Sequence, residues 1–287
     1  MGLFSGLEKF GLKSPEQTDI YKEEKAEIKK QEAAKAEVEE PKEEDFILVK
    51  TIRCPVCDKQ FKTRMVKSGR VKRLEPDFDL RPRQKYIDAL KYGVSSCPNC
   101  GYTSLNRYFE RITMGQIKLI QENICKNFKA NHEVEDKILT SYDEAIDLHK
   151  LSLYTAMIKR ARTSEKAYNC LILAWLYREK ALLERGENEA SQKKKAEYKQ
   201  EEANFYKEAY EGLLKAVSSE MFPICGMDQC TMDYLLANMS FYFKEYETAS
   251  KCLSNVITAP NAGSKIKDKA LELKDKVLAE MKKNKAR

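Results

Sequence analysis

Two short cysteine pairs constrain this chain more than any other feature. Cys54-Pro-Val-Cys57 and Cys97-Pro-Asn-Cys100 each place two thiols on one tight turn, and 39 residues separate the pairs. A tetrahedral metal site needs four thiolates at about 2.3 Å from one ion, so two such turns complete a coordination shell. The sequence therefore predicts that these four cysteines bind one structural metal ion. We call the turns the first knuckle (residues 54–59) and the second knuckle (residues 97–102).

Zinc is the predicted ion, and iron is the alternative because rubredoxin-like knuckles have the same form. The competing interpretation is a pair of redox dithiols or a set of buried free cysteines. A redox C-x-x-C normally opens a helix beside a strand, which fits poorly with the β-rich sequence here. Since protein fills all four positions, none is left for substrate or water, and the role is structural. Gly101 ends the second knuckle where a positive φ is expected, and Asp58 holds the equivalent position in the first.

The chain has nine cysteines, and the other five do not form a disulfide pattern. They are scattered through helical sequence: Cys125, Cys170, Cys225, Cys230 and Cys252. This distribution favours a reducing compartment and a cytoplasmic location. Cys225 and Cys230 are close together, but no further ligands are obvious nearby, so packing is favoured over a second metal site.

Charge divides the chain into three predicted segments. Residues 1–45 form an acidic tether with 8 basic and 13 acidic side chains, too poor in apolar residues to fold. Residues 46–111 form a basic, zinc-ribbon-like metal-binding module with 15 basic and 6 acidic side chains. Residues 112–287 form a helical domain. The apolar tip Met1–Leu12 can be a docking peptide, a membrane-surface segment or a disordered end, and the last is favoured.

Membrane insertion and secretion are not expected. No apolar stretch approaches the roughly 18 to 20 residues of a membrane span. The start of the chain also lacks a basic leader and a small-residue cleavage site. No integral membrane association is therefore predicted.

The metal-binding module has the pattern of a small β-ribbon. The run from Phe46 to Ile52 predicts a strand that leads into Cys54, and the run from Phe61 to Leu74 contains the hairpin-type turn Ser68-Gly69. The long spacer between the knuckles therefore predicts an inserted, strongly basic hairpin over residues 59–85.

Two stretches of the helical domain follow the spacing of tetratricopeptide repeats. In the later one, the small residue Ala237 allows two helices to approach closely, and Ala249 packs the second helix against the first. Ala174 and Ala209 hold these places in an earlier, longer unit. Preceding helices over 116–128 and 141–162 begin the array. The predicted fold class is therefore mainly α, a tetratricopeptide-like array of helical pairs after a β-rich module.

The sequence predicts no enzymatic activity. Its two histidines, His132 and His149, lie in helical sequence, and no phosphate-binding loop, nucleophile elbow or metal-binding histidine pair is present. No catalytic residue is therefore assigned.

Several of these motifs resemble an uncharacterised bacterial family, domain of unknown function 2225. The matching pieces are Cys54-Pro-Val-Cys, Phe61-Lys-Thr, Ser68-Gly69, Asp79-Leu-Arg-Pro, the run from Ile87 to Tyr102, and Leu173-Ala-Trp-Leu-Tyr-Arg-Glu179. Together they cover roughly residues 50–257. The resemblance implies a zinc-ribbon-like head followed by tetratricopeptide-like helices, and it implies no activity. Asp58 departs from the glycine more usual at its position.

Two functions follow from these features. The first is a protein-binding adaptor whose stacked helices form a groove for a peptide. The aromatic side chains that can line that groove are Trp175, Tyr177, Tyr206, Tyr234 and Tyr242. Most aromatics at helical spacing are core residues, and a groove without a ligand is the other interpretation. The alternative is nucleic-acid binding through the basic hairpin, since phosphate neutralisation needs such a cluster. Its cations are Lys59, Lys62, Arg64, Lys67, Arg70, Lys72 and Arg73, with Arg81, Arg83 and Lys85 close behind.

Overall fold

The computed structural model describes residues 40–130 and 137–285, so most of the predicted tether, including Met1–Leu12, lies outside the described residues. These described ranges contain four strands: β1 (Ile47–Arg53), β2 (Gln60–Val66), β3 (Val94–Ser96) and β4 (Thr103–Leu105). The helices are α1 (Met114–Ile120), α2 (Tyr142–Ile158), α3 (Thr163–Leu183), α4 (Glu189–Ser219), α5 (Gln229–Tyr242), α6 (Tyr246–Thr258) and α7 (Ser264–Lys285). The prediction of a mainly α chain with a β-rich cysteine region is confirmed.

Shorter turns complete the described chain. They are two 3₁₀ turns, Glu43–Phe46 and Ala89–Tyr92, and a π turn, Gln121–Cys125, that directly continues α1. Residues 43–285 belong to one compact unit. The domain boundaries at 45/46 and 111/112 stay predictions. In the part of the chain that the structure describes, no helix has the length and apolar character needed to cross a membrane.

Polar caps set where several helices begin. The side chains of Ser141, Asn188 and Asp228 accept hydrogen bonds from backbone N–H groups in the first turns of α2, α4 and α5. Thr113 and Gln116 form a reciprocal capping box at the start of α1. These contacts satisfy N–H groups that have no partner inside the helix, and each typically stabilises a helix by about 1 kcal/mol.

The small residues of the predicted helical pairs lie at the helix contacts. Ala174 and Ala209 are fully buried where α3 packs against α4, and Ala237 and Ala249 where α5 packs against α6. Helix α7 packs against α5 and α6. We call α2 to α7 the helical array. The assignment of these pairs to tetratricopeptide repeats stays a prediction.

Each knuckle closes one antiparallel strand pair. The first knuckle joins β1 to β2, with Ile52 opposite Phe61, and the second joins β3 to β4, with Ser96 opposite Thr103. The predicted strand before Cys54 is thus present as β1. We call residues 46–111 the head.

The predicted hairpin over residues 59–85 is present only in part, as a short antiparallel pairing in which the N–H of Leu74 donates to the carbonyl oxygen of Arg83 and the N–H of Lys85 to that of Lys72. Strand β2 ends at Val66, and the chain beyond it makes a single antiparallel bridge between Arg73 and Gln84. Pro76 and Pro82 have no N–H to donate to a strand ladder, which explains part of the break. The segment between them turns toward the helices instead. We call residues 74–83 the insert loop.

Candidate metal centre

The two knuckles have the same backbone geometry. The N–H groups of Cys54 and Cys97 each donate to the carbonyl oxygen five residues further along, and their own carbonyl oxygens accept from Asp58 and Gly101, all at 2.9 Å. Asp58 and Gly101 have φ angles of 65° and 77°. Asp58 therefore holds the same left-handed conformation as the glycine of the second knuckle, where an L-residue is strained.

Four sulfur atoms converge between the knuckles. The Sγ atoms of Cys54 and Cys100 are 3.7 Å apart, as are those of Cys57 and Cys97. All four lie within 4.8 Å of one another. Sulfurs at about 2.3 Å from a central tetrahedral ion are about 3.8 Å apart, so these separations fit one ion. Among the described residues this is the one group of histidine, cysteine or carboxylate side chains close enough to hold a metal.

Burial and mutual hydrogen bonds shape the protonation of this cluster. Cys54 and Cys97 are fully buried, Cys100 is nearly so, and Cys57 is half-buried. Hydrogen bonds from Cys100 and Cys54 lower the pKa of Cys97. Hydrogen bonds to Cys54 and Cys97, with burial, raise the pKa of Cys100. Cysteine binds a soft divalent metal as the thiolate, so metal binding to this group would release protons.

An apolar cluster supports the centre from one side. Phe61, Tyr102, Phe109, Ile120 and Ile124 are buried against the cysteines. The Tyr102 hydroxyl donates to the carbonyl oxygen of Phe109 at 2.9 Å, and burial raises the pKa of Tyr102. Two of these side chains come from α1 and the π turn after it, so the helical part of the chain helps to close the metal centre.

Two features of the second knuckle require glycine at position 101. Gly101 has a positive φ, and a Cβ atom there would lie 2.4 Å from Cδ2 of Phe128. A larger residue would therefore clash as well as strain the backbone.

The half-buried Cys125 also packs against the metal cluster, near Cys100. The sequence placed Cys125 among the scattered cysteines, because no neighbouring residue indicates that it lies near Cys100.

The other scattered cysteines lie in packed surroundings. Cys225 donates to the carbonyl oxygen of Ser164 at 3.3 Å, and Cys230 lies 3.8 Å from Oδ1 of Asn261. Cys170 and Cys252 are buried in the core of the array. These positions agree with packing roles for Cys225 and Cys230.

The insert loop lies across the helical array and is held by buried charge. Asp79 is buried, and its Oδ2 accepts from Trp175 Nε1 at 2.9 Å and pairs with Arg178 at 2.8 Å. Arg81 is only 1% exposed and pairs with Glu179 on α3 at 2.6 Å. The sequence motifs around Asp79-Leu-Arg-Pro and Trp175-Leu-Tyr-Arg-Glu therefore form the two sides of one contact.

Further contacts connect the loop to helix α7. Glu75 pairs with Lys269 on α7 at 2.6 Å, and the Phe78 ring lies 4.1 Å from Lys276 Nζ on the same helix. Arg83 also binds Glu179, at 2.8 Å. Although burial opposes it, hydrogen bonds from the two arginines lower the pKa of Glu179. The loop thus spans from α3 to α7.

The cations predicted to bind nucleic acid differ in exposure, and some of them have partners inside the protein. Arg64 pairs with Glu144 at 2.5 Å, and Lys67 donates to the carbonyl oxygen of Asp45 at 3.1 Å. Arg81 and Arg83 bind Glu179, as described above. The cations of the set that lie exposed are Lys59, Lys62, Arg70, Lys72, Arg73 and Lys85. The charge run is therefore not one continuous surface patch.

Most of the aromatic residues predicted to line a groove are core residues. Trp175, Tyr177, Tyr206 and Tyr234 are buried, whereas Tyr242 is 53% exposed. The groove prediction is wrong for the four buried rings, because they fill the contacts between helices and around the insert loop.

The histidine of α2 is also internal. His149 is fully buried, and its Nε2 lies 3.0 Å from the carbonyl oxygen of Leu90. Burial lowers the pKa of His149 to about 4. A neutral ring at this site joins the 3₁₀ turn of the head to the array. His132 lies outside the described residues.

Comparison with known proteins places these features in a family. Residues 47–277 match the model of domain of unknown function 2225, described as an uncharacterized protein conserved in bacteria. The match spans both knuckles, the insert loop and nearly the whole array. No curated protein and no solved structure matches the chain.

Proposed function

We propose, for a chain that belongs to the bacterial family domain of unknown function 2225, a non-enzymatic protein-binding adaptor with one structural zinc ion. The observation that carries this proposal is the closed set of four thiols. Their sulfur atoms lie within 4.8 Å of one another and are largely buried. With four protein ligands, no coordination position is open to a substrate, so the ion has a structural role.

Zinc is proposed over iron because a closed tetrahedral thiolate site with a purely structural role needs no redox chemistry. Bound zinc would fix the two knuckles on each other and thereby hold β1–β2 beside β3–β4. Cys54, Cys57, Cys97 and Cys100 would be the ligands. Elemental analysis of the purified protein is expected to give one zinc per chain, and the absence of visible absorption would exclude a ferric thiolate centre.

The proposal of a non-enzymatic role is supported by how the buried polar groups are used. His149 has a lowered pKa and binds a backbone carbonyl, and Arg81 and Asp79 hold the insert loop on α3. Each of these groups has a structural partner. None of them lies at the thiol cluster.

The proposal of a protein partner is supported by the way the array holds the insert loop. A non-helical segment of this chain already lies across α3 and α7 through ion pairs and one buried tryptophan. A surface of stacked helices commonly binds such segments. Because the chain's own loop fills this face, we place the partner on the remaining exposed surface of the array.

Affinity capture separates this adaptor from the nucleic-acid alternative. The bait is the full-length, metal-loaded protein, used with and without nuclease, beside a variant with Lys59, Arg70 and Arg73 replaced by glutamate. These three cations are exposed and far in sequence from the array. We expect the same protein partner in all four samples, and direct titration with the purified partner must reproduce it. Loss of the partner on nuclease treatment or in the variant would favour nucleic acid.

A further inference from the structure

The π turn that follows helix α1 lies against both knuckles. Nε2 of Gln121 donates to the carbonyl oxygen of Val56 in the first knuckle at 3.2 Å. The ring of Phe128, just after the turn, packs so closely on the second knuckle that it leaves no room for a Cβ atom at Gly101. Ile124 is buried in the apolar cluster at the cysteines. The turn is therefore held in place beside the four thiols, and π turns of this kind are found mostly at functional sites.

The π turn ends at Cys125, which is a fifth thiol at the cysteine cluster. Cys125 packs against the cluster, and its side chain interacts with that of Cys100. It is not one of the four cysteines whose sulfur atoms all lie within 4.8 Å of one another. It is therefore not part of the proposed ligand set, although it lies beside one of the ligands.

Cys125 also differs from most of the other cysteines in its exposure. Cys57 and Cys125 are half-buried, whereas the other seven cysteines of the chain are buried. Both half-buried cysteines thus lie at the proposed metal centre, and Cys125 is the one that is not a ligand. Cys100, in contrast, is only 6% exposed. Since oxidation of cysteine depends on exposure, a small oxidant from solvent reaches Cys125 more readily than it reaches Cys100.

We propose that Cys125 is an oxidation site of the metal centre, where a peroxide links Cys125 to Cys100 in a disulfide and thereby releases the metal ion. This inference rests on the proposed metal centre, because it concerns the loss of one of the four ligands. It adds to the proposed adaptor a chemical condition under which the head gives up its metal.

The disulfide forms in two steps. Hydrogen peroxide transfers one oxygen atom to the Cys125 thiol, which becomes a sulfenic acid, and the rest of the peroxide leaves as water. The sulfur of Cys100, which is a thiolate while it is a ligand, then attacks the sulfur of Cys125. The S–O bond of Cys125 breaks, and the departing hydroxide takes a proton from solvent and becomes water. The two sulfur atoms together lose two electrons, and the peroxide is reduced to two water molecules.

Loss of the Cys100 thiolate removes one ligand from the centre. The thiolate is the form of cysteine that binds a metal, so a disulfide between Cys100 and Cys125 leaves three ligands. Because binding energy is folding energy in a site of this kind, release of the ion weakens the four-cysteine side of the head. The core of the helical array does not include the four cysteines, so the array is expected to keep its fold.

The test measures the metal and the disulfide separately. Full-length protein purified with zinc is first assayed for one zinc per chain, which tests the metal centre by itself. It is then treated with hydrogen peroxide. Released zinc is followed with a chromophoric chelator, and disulfides are identified by mass spectrometry after the free thiols are blocked. We expect zinc release together with a Cys100–Cys125 peptide pair. Dithiothreitol with added zinc is expected to restore one zinc per chain, because a disulfide is reduced whereas a sulfinic acid is not.

Two cysteine variants test whether the effect belongs to Cys125. Cys125→Ser removes the fifth thiol and leaves the four proposed ligands in place. We expect it to bind one zinc per chain and to release the zinc at least about tenfold more slowly, because the reaction then lacks a thiol held beside Cys100. Cys252→Ser is the matched control, since it removes a buried cysteine from the core of the array. It is expected to release zinc like the unmodified protein.

Two results would overturn the proposal. One is equally fast zinc release from Cys125→Ser and from the unmodified protein. The other is a set of disulfides that does not include Cys125, such as bonds within the knuckles only. If the unmodified protein or Cys125→Ser were purified without zinc, the disulfides of the unmodified protein would still decide whether Cys125 pairs with Cys100. A zinc-free unmodified protein would by itself contradict the metal centre and not the pairing.

Discussion

The head and the helical array are held together in different ways. In the head, β3 and β4 have three residues each, and the apolar cluster at the cysteines draws part of its side chains from α1. In the array, long apolar side chains such as Leu171, Leu173 and Leu213 are fully buried between helices. A region too small for a large core can be stabilised by a metal instead, since binding energy then becomes folding energy.

The head and the array are not stabilised independently, because part of the head packs into the apolar core of the array. Leu90, Val94 and Leu105 of the head belong to the same apolar cluster as α3, α4 and α5. The insert loop adds ion pairs between the regions. We therefore expect the four-cysteine side of the head to depend on metal, and its α2-facing side to depend more on the array.

Loss of one proposed ligand is expected to have the largest effect. Cys97→Ser leaves three thiolates and is expected to reduce bound metal from one ion per chain to nearly none. The loss of folding energy is on the order of 10 kcal/mol, the scale of structural zinc sites. Elemental analysis and hydrogen exchange check this, with protection lost at the knuckles and kept in α5 and α6.

Cys170→Ser is the matched control, because Cys170 is a buried cysteine of the array and no ligand of the cluster. It is expected to retain one metal ion. One full equivalent of metal in Cys97→Ser would contradict the four-thiol centre. Equal loss of protection in α5 and α6 would remove the contrast between head and array.

The insert loop gives the next largest effect. Arg81→Ala leaves Glu179 and Asp88 near each other without their buried cation, and a broken buried ion pair typically costs about 3–5 kcal/mol. Arg83→Ala removes a cation that binds the same Glu179 but is about one-third exposed. Its cost is expected to stay below about 1 kcal/mol. Urea unfolding of both variants measures the difference, and equal costs would show that the loop does not join the two regions through Arg81.

His149 is expected to make a smaller, pH-dependent contribution to stability at the contact between head and array. Its pKa falls from 6.5 in the unfolded chain to about 4 in the folded protein because of burial. The unfolded chain therefore binds the proton first, so this contribution to stability is present above pH 6.5 and is lost as the pH falls toward 4. Between pH 7 and 5 the loss is about 2 kcal/mol.

The comparison of His149→Gln with the unmodified protein isolates the pH-dependent contribution of His149 to stability. Proton competition for the thiolates weakens metal binding in both proteins over the same range. We expect a shallower fall of the free energy of unfolding with pH in the variant, measured at pH 7, 6 and 5. Parallel curves would mean that His149 is not the titrating group.

The smallest expected effect comes from giving the first knuckle the glycine that the second knuckle has. Asp58→Gly supplies the residue that suits a φ of 65° and is expected to stabilise the protein by up to about 1 kcal/mol through relief of backbone strain. Thermal unfolding of the metal-loaded protein measures the change. A clear loss of stability would mean that the Asp58 side chain, through its ion pair with Arg53, matters more than the backbone.

The knuckles and the helix contacts could be predicted from sequence because their signals are local. Cys54 and Cys57 are three positions apart within one turn, and the position of Gly101 identifies the turn type. The small residues Ala174 and Ala237 likewise mark close helix contacts without knowledge of the rest of the chain. Prediction succeeded where a few neighbouring residues determine the geometry.

The insert loop could not be predicted in the same way. Arg81 and Glu179 are 98 positions apart, and nothing near either residue indicates the other. The same arginine therefore looked like part of a surface for nucleic acid, as did Arg64, whose partner Glu144 is 80 positions away. Buried aromatics such as Trp175 and Tyr206 also looked like groove residues, since spacing alone does not say which face of a helix is covered.

The path of the insert loop has a consequence during synthesis. Phe78 contacts Lys276, so the loop cannot complete its contacts until the ribosome has added almost 200 further residues. At about 5–20 residues per second, this takes on the order of 10–40 s. During that time the knuckles can already close on a metal, whereas Asp79 and Arg81 remain without α3 for the first part of the interval. The head is therefore expected to acquire its ion before it acquires its place on the helices.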